Sequence, residues 1–133
     1  MGAKPGVYLD GNAYIRDTVK LFDGIRSKMG DEIGLVHDVH ERIAPADAVR
    51  LAKELEPYHL TFLEDPVSLE QVEYIRQIKN ASSIPIAEGE LFNNPYEYRT
   101  LITERLIDYI RVHITQVGGI TPARKLQIFA EQF

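Results

Sequence analysis

The sequence predicts an α/β fold in which about four parallel strands alternate with helices, and three observations support it. Short apolar runs alternate with amphipathic segments along most of the 133 residues. The apolar runs contain few polar residues, which is typical of parallel strands buried on both faces. The runs are also evenly spaced, a pattern that right-handed strand–helix–strand units produce.

Four apolar runs are expected to form strands. Their middle residues Leu35, Phe62, Ile86 and Ile110 are separated by 27, 24 and 24 positions. This spacing fits either a (β/α)₈ barrel or a doubly wound sheet, and the spacing alone does not choose between them. The predicted strands are Ile33–His37, His59–Leu63, Ile84–Ala87 and Tyr109–Ile114.

Five amphipathic segments are expected to form helices, and capping residues mark several of their ends. Asn94–Pro95 and Thr121–Pro122 each place a capping side chain before a proline at the first helical position. Ser68 with Gln71 fits a capping box, and Gly30 fits a helix C-cap. The predicted helices are Ala13–Met29, Ala46–Leu55, Leu69–Lys79, Tyr96–Arg105 and Pro122–Gln132.

Composition and charge argue against several classes of function. The formal net charge of −5 disfavours nucleic acid and anionic membranes as partners. The absence of cysteine excludes disulfides, thiolate zinc sites and cysteine nucleophiles. No apolar run is long enough to span a bilayer. A signal peptide would need an apolar run after Met1–Pro5, and the sequence has none there. We therefore expect a cytoplasmic protein. Separately, we expect Met1–Gly11 to form a mobile loop.

Acidic residues follow three of the predicted strands at identical spacing. Asp38 and Glu64 are 26 positions apart, as are Glu64 and Glu90. Because the carboxyl ends of parallel strands meet at one edge, we expect the three carboxylates to converge there, where a divalent cation would neutralise them. Oxygen ligands favour Mg²⁺, Mn²⁺ or Ca²⁺ over zinc. The alternative is that such residues, or their neighbours Asp65 and Glu88, cap the helices that follow.

Two of the four histidines lie near these strand ends. His40 is two residues beyond Asp38, so the two side chains would face the same way in an extended chain. His113 and Arg111 have the same relation on the fourth strand. Either histidine could be structural, and its nearness to a carboxylate cluster favours a catalytic or binding role. The other two, His37 and His59, are expected to be structural.

Several motifs together resemble the D-mannonate dehydratase group, in the mandelate racemase branch of the enolase superfamily. The similarity extends from about Tyr14 to Phe133, nearly the whole chain. The motifs are His37–Arg42 (HDVHER), Phe62–Pro66 (FLEDP), Gly89–Asn93 (GELFN), Arg111–His113 (RVH) and Gly118–Arg124 (GGITPAR).

The resemblance implies a fold and a cofactor. Residues 1–133 would be strands three to six of the superfamily's C-terminal barrel, a partial (β/α)₈ TIM-type barrel, without the capping domain and the last barrel strands. Asp38, Glu64 and Glu90 would be the ligands of Mg²⁺. In this superfamily the cation stabilises the negative charge that develops when a proton α to a carboxylate is removed.

The resemblance also implies a reaction. His40 would protonate the departing hydroxyl group, and Arg111, His113 and Glu90 would contact the substrate. Racemases of this branch carry an aspartate where His113 stands, which argues against a two-base racemase. The implied activity is a Mg²⁺-dependent dehydration of a sugar acid, of the D-mannonate or D-gluconate type, that gives a 2-keto-3-deoxy sugar acid.

Other functions stay open at this point. The protein could catalyse another superfamily reaction, such as racemisation or the dehydration of a different acid sugar, or be a truncated, non-catalytic fragment. The Tyr–Arg pair that resembles the general base of the family would lie upstream of Met1, so residues 1–133 alone are expected to be inactive. Open strand edges and an uncovered apolar face would favour self-association, and we expect a homo-oligomer.

Overall fold

The computed structural model of the chain describes residues 10–133, which form one four-stranded sheet and five α-helices. All neighbouring strands are parallel, and their order along the sheet is their order in the chain. The α/β prediction with four parallel strands is therefore confirmed. The helices are α1 (Gly11–Met29), α2 (Pro45–Leu55), α3 (Val72–Ala81), α4 (Pro95–Thr103) and α5 (Ile120–Ala130), and the strands are β1 (Val36–Asp38), β2 (Phe62–Glu64), β3 (Ile86–Glu88) and β4 (Tyr109–Ile110).

The strands are shorter than predicted, and three lie closer to the acidic residues. Hydrogen-bonded pairing, rather than the apolar run, sets their limits: Val36 pairs with Phe62, and Asp38 with Glu64. The prediction that the first strand begins at Ile33 is wrong. The fourth strand ends at Ile110 rather than Ile114, and the Arg111 N–H adds one further hydrogen bond to the Glu88 carbonyl at 3.0 Å.

Helix ends agree with the sequence at two positions. The Asn94 side chain accepts a hydrogen bond from the Tyr96 backbone N–H at 3.0 Å, and the Glu97 carboxylate accepts one from the Asn94 N–H at 3.3 Å, which completes a capping box. Gly30 ends α1 with a φ of 67°, a conformation that glycine adopts without a steric cost.

Three predicted helix limits are wrong. Helix α3 begins after Gln71 with no side-chain cap, since the Ser68 hydroxyl donates to Glu70 instead. Helix α5 begins after Gly119, so Thr121 already lies in its first turn. Gly11 belongs to α1 rather than to a mobile loop, because the Asp10 carboxylate caps that helix; residues 1–9 of that predicted loop lie outside the described part.

The core lies between the sheet and the helices. Helix α2 presents an apolar stripe at helical spacing, formed by Ala48, Leu51, Ala52 and Leu55, and none of these four side chains is exposed. Each leucine contributes roughly 1.5–3 kcal/mol through burial. On β2, Leu63 points into the same layer. Within residues 10–133, no helix is both long and apolar enough to cross a bilayer.

The two ends of the sheet are less well covered. A groove of about 710 Å³ lies between β4 and α5, and its walls include the apolar side chains of Ile114, Ile120 and Leu126. Ile114 and Ile120 are exposed, as is Val36 on β1 at the opposite edge. The described residues thus leave both sheet edges and one apolar groove open to a neighbour.

Candidate metal centre and active site

The acidic residues predicted to bind a metal reach one pocket. Pairing of Asp38 with Glu64 places both side chains on the same face of the sheet, since directly paired residues of parallel strands share a face. Glu90 follows Gly89, whose φ of 135° turns the chain at the end of β3. The resulting pocket has a volume of about 260 Å³ and is lined by Asp38, Glu64, Glu90, Arg111, Val112 and His113.

The helix-capping alternative for these acids is wrong. The helices that follow the first three strands have Ala44, Gln71 and Asn94 at their N-caps. None of these positions is one of the strand-end acids, and two of them make no side-chain capping hydrogen bond. The acids at the strand ends are therefore free for another role.

His40 lies beside two of the predicted ligands. Its Nδ1 atom is 3.5 Å from an oxygen of Asp38 and 3.7 Å from an oxygen of Glu90, and its side chain is half exposed. The expectation of an extended chain from Asp38 to His40 is wrong, because His40 and Glu41 both have left-handed backbone angles, with φ of 55° and 56°. The turn brings the imidazole back toward the strand ends.

The two polar residues beyond β4 also line the pocket. An Arg111 guanidinium nitrogen forms an ion pair with the carboxylate of Glu64, and the guanidinium carbon lies 5.7 Å from the centre of the Phe62 ring. His113 lines the pocket, and its Nδ1 atom forms a hydrogen bond of 2.9 Å with the Thr115 hydroxyl. Arg111 therefore offers positive charge within an otherwise acidic pocket.

Two further carboxyl groups, Asp65 and Glu88, lie behind the pocket and were not predicted to take part in it. Both are buried, with 5% and 2% of their surface exposed, and their side chains are hydrogen-bonded to each other. Because Glu64 pairs with Ala87, Glu88 points to the helix-covered face of the sheet.

Burial dominates the electrostatics of this pair. The pKa of Asp65 is raised from 3.8 to about 6, mainly by burial and to a smaller extent by the negative charges of Glu64, Asp38 and Glu90, while the hydrogen bond with Glu88 opposes the shift. Burial, followed by the charge of Asp65, raises the pKa of Glu88 well above its usual range. One oxygen of Glu88 has no hydrogen-bond partner among the described residues. Two carboxyl groups with raised pKa values therefore lie next to the pocket.

The donor set fits a hard divalent cation. Oxygen atoms of Glu64, Asp65 and Glu90 lie within 4.8 Å of one another, and so do ligand atoms of Asp38, His40 and Asp65. Two of these carboxylates, those of Glu64 and Asp65, are buried, where negative charges repel strongly unless a cation neutralises them. Carboxylate oxygens without any thiolate suit Mg²⁺ or a similar ion.

The other two histidines lie away from the pocket. The Nε2 atom of His37 is 3.1 Å from the Tyr14 hydroxyl, and its ring meets Phe22 edge to face, so it packs under α1. Burial lowers the pKa of His37. His59 ends a short 3₁₀ turn, Glu56–Tyr58, with a left-handed φ of 46°. Both positions agree with the structural roles expected from the sequence.

The fold and the strand-end acids define the class of protein, and comparison with known families agrees. Residues 4–133 match the family model described as enolase C-terminal domain-like. The chain belongs to this family. Its four parallel strands are therefore part of an α/β barrel, which decides between the barrel and the doubly wound sheet that strand spacing alone left open.

Within this family, the chain is similar to curated members of the D-galactonate dehydratase family. The D-galactonate dehydratase family member RspA of Pantoea ananatis is 52% identical over 127 residues, which are 96% of this chain and 30% of the relative. A D-galactonate dehydratase family member of Enterococcus gallinarum is 48% identical over 129 residues, 97% of this chain and 32% of the relative. The chain thus spans about a third of their length. These names place the relatives in the D-galactonate dehydratase family, so the D-mannonate group stays a prediction for this chain.

Solved structures give the same picture. The crystal structure of an enolase from Pantoea ananatis with bound D-gluconate and Mg is 50% identical, has a TM-score of 0.90, and is matched over 98% of this chain and 32% of that one. L-Talarate dehydratase from Polaromonas sp. JS666, complexed with Mg and L-glucarate, is 29% identical with a TM-score of 0.79, over 95% of this chain and 34% of that one.

Proposed function

We propose that this chain supplies the metal-binding and proton-donating part of a Mg²⁺-dependent sugar-acid dehydratase. The observation that carries the proposal is the convergence of Asp38, Glu64 and Glu90, from three consecutive strands, on one pocket with His40 beside them. Relatives with bound Mg and a sugar acid support it. The proposed substrates are D-mannonate or D-gluconate and the product is a 2-keto-3-deoxy sugar acid.

In this proposal Asp38, Glu64 and Glu90 hold Mg²⁺. When bound, the cation would stabilise the negative charge that develops on the substrate carboxylate as its α proton is removed. Glu64 and Glu90 offer oxygens within 4.8 Å of each other, and Asp38 faces the same pocket as Glu64. Glu64 is buried, and a carboxylate that is shielded from water attracts a cation more strongly than an exposed one.

His40 is the proposed general acid. Hydroxide is a poor leaving group, and a histidine at the pocket rim can protonate it as the neighbouring carbon–oxygen bond breaks. The half-exposed ring sits within 4 Å of Asp38 and Glu90, so a substrate bound at the metal would lie next to it. Arg111 and His113 would bind the carboxylate and hydroxyl groups of the sugar acid, with Glu90 also in reach.

The remaining parts of the reaction are proposed to lie outside residues 1–133. These are the general base, a capping domain and the last barrel strands, since the chain covers about a third of its relatives. The whole protein is proposed to be a cytoplasmic homo-oligomer that acts on a small acid sugar, with neither nucleic acid nor membrane as a partner. Alone, residues 1–133 should show no dehydratase activity.

A chimera tests the proposal on a complete active site. The matching segment of the Pantoea ananatis relative would be replaced by residues 4–133, and the chimera would be incubated with Mg²⁺ and a panel of sugar acids that includes D-gluconate and D-mannonate. We expect a 2-keto-3-deoxy acid from at least one sugar acid, and no product from a Glu64→Gln chimera without added Mg²⁺. A folded chimera that only racemises its substrate, or stays inactive where the relative is active, would contradict the proposal.

A further inference from the structure

Two aromatic side chains lie on the face of the sheet that carries the proposed metal ligands. On β2, Phe62 precedes Glu64 by two positions, so both side chains share a face. Glu64 pairs with Ala87, and Ala87 pairs with Tyr109, which places Tyr109 on that face as well. The centres of the Phe62 and Tyr109 rings are 5.3 Å apart. These two rings therefore form an aromatic pair next to the carboxylate pocket.

The small side chain of Ala87 leaves room for this aromatic pair. Strands β2 and β4 lie on either side of β3, so they are about 10 Å apart, twice the spacing of neighbouring strands. Ala87 is fully buried on β3, and a larger side chain there would project from the same face between β2 and β4. The contact between the two rings thus joins strands that do not pair with each other.

The Phe62 ring also contacts Arg111, which lines the pocket. The guanidinium carbon lies 5.7 Å from the centre of the ring, and a guanidinium nitrogen forms an ion pair with the buried carboxylate of Glu64. The Arg111 side chain is half exposed, and its many rotamers oppose a single orientation unless such contacts fix it. Glu64 is also a proposed metal ligand, so the ring is the contact of Arg111 for which a cation does not compete.

We propose that Phe62, supported by Tyr109, is a positioning residue that holds the Arg111 guanidinium toward the pocket, where it binds the carboxylate of the sugar acid. This inference rests on the proposed function, because the substrate-binding role of Arg111 belongs to it. A planar guanidinium that stacks on an aromatic face keeps the N–H donors at its edge free for a carboxylate. At a partly exposed site such a contact corresponds to an effect of about 2- to 5-fold on binding.

The first measurement follows the Arg111 side chain in the 133-residue chain by NMR. Nitrogen relaxation of the guanidinium Nε reports motion from picoseconds to nanoseconds, and Arg111→Lys assigns the signal. We expect an ordered Nε in the wild type and a mobile one in Phe62→Leu, which keeps apolar bulk without the ring. Phe62→Tyr keeps the ring and should keep the order. The matched control is Phe129→Leu on α5, at a half-buried ring that contacts Tyr98 and should not affect Arg111.

The second measurement uses the active chimera and separates substrate binding from packing. Phe62→Leu should raise the KM for the sugar acid about 2- to 5-fold with little change in kcat, because the ring orients a binding group before the chemical step. Phe62→Tyr should restore the KM. In the Arg111→Met background, Phe62→Leu should lower kcat/KM no further, because the ring then has no guanidinium to hold.

Circular dichroism first checks that each variant folds. If Phe62→Leu does not fold, Phe62→Met takes its place, since methionine fills similar space without a ring. A folded ring-free variant in which Arg111 Nε is as ordered as in the wild type would overturn the positioning role. A fall in kcat alone, or an equal effect of Phe62→Leu with and without Arg111, would also overturn it, because packing alone accounts for those results. An inactive chimera would overturn the proposed function, while the NMR measurement decides separately whether the ring holds the guanidinium.

Discussion

Replacement of Asp65 by asparagine should make the metal-free chain more stable at neutral pH but not at acid pH. Burial raises the pKa of Asp65 above its ordinary value, so the folded chain favours the protonated carboxyl. Its contribution to stability is full below about pH 4 and is lost as the pH rises through about 6. Asparagine stays neutral throughout and keeps this contribution.

The size of the effect follows from the shift. A change from 3.8 to about 6 corresponds to about 3 kcal/mol at 1.36 kcal/mol per pKa unit, and water in the open pocket reduces this to about 2 kcal/mol. Asp65→Asn and the wild type should therefore unfold with similar free energies near pH 4. At pH 7 the variant should be more stable by about 2 kcal/mol.

Urea unfolding with a chelator present, followed by circular dichroism at several values between pH 4 and pH 8, measures the difference. Asp23→Asn, on the exposed side of α1, controls for the loss of one negative charge and should stay within about 0.5 kcal/mol of the wild type. A difference between Asp65→Asn and the wild type that does not change with pH, or that favours the wild type at pH 7, would refute the electrostatic reasoning.

Three further predictions concern the site, the fold and the open edges. In the active chimera, His40→Asn should lower turnover about 10²–10⁴-fold, and added Mg²⁺ should not restore it. Raised Mg²⁺ should partly restore the turnover of Glu64→Gln, because that variant has lost a metal ligand. Equal responses of the two variants to Mg²⁺ in steady-state assays would contradict these roles. Arg26 donates five hydrogen bonds to carbonyl groups, so Arg26→Met should cost about 2–4 kcal/mol in urea unfolding, against about 0.5 kcal/mol or less for the exposed Arg16→Met. The 133-residue chain should self-associate in sedimentation velocity experiments, and Ile120→Glu in the open groove should weaken the self-association. A monomer at all concentrations would show that the open edges and the groove do not drive association.

Much of the fold could be predicted from the sequence because periodicity reports burial directly. The alternation of apolar runs and amphipathic segments gave four parallel strands and five helices in the right order. Strand limits were less accurate, since pairing with a neighbour decides them. Capping was predicted correctly at Asn94, where the cap is local, and wrongly at Ser68 and Thr121, where the loop before the helix takes another path.

The sequence predicted only those parts of the site that follow from the spacing of residues along the chain. Equal intervals identified Asp38, Glu64 and Glu90 as strand-end residues that face one pocket. The left-handed turn at His40 depends on hydrogen bonds between separate strand ends, and no local pattern encodes it. The Asp65–Glu88 pair was missed for the same reason. The one sequence signal was an acidic residue within an otherwise apolar strand, Glu88 after Ile86 and Ala87.

The central claim is that the strand-end carboxylates hold one divalent cation, and a crystal of the 133-residue chain soaked in Mn²⁺ tests it most directly through anomalous scattering. We expect a single strong peak in the pocket between Asp38, Glu64 and Glu90, with oxygens about 2.0–2.1 Å from the ion when Mg²⁺ replaces Mn²⁺. An intact pocket with no peak, or a peak coordinated by other residues while these three carboxylates stay unbound, would contradict it.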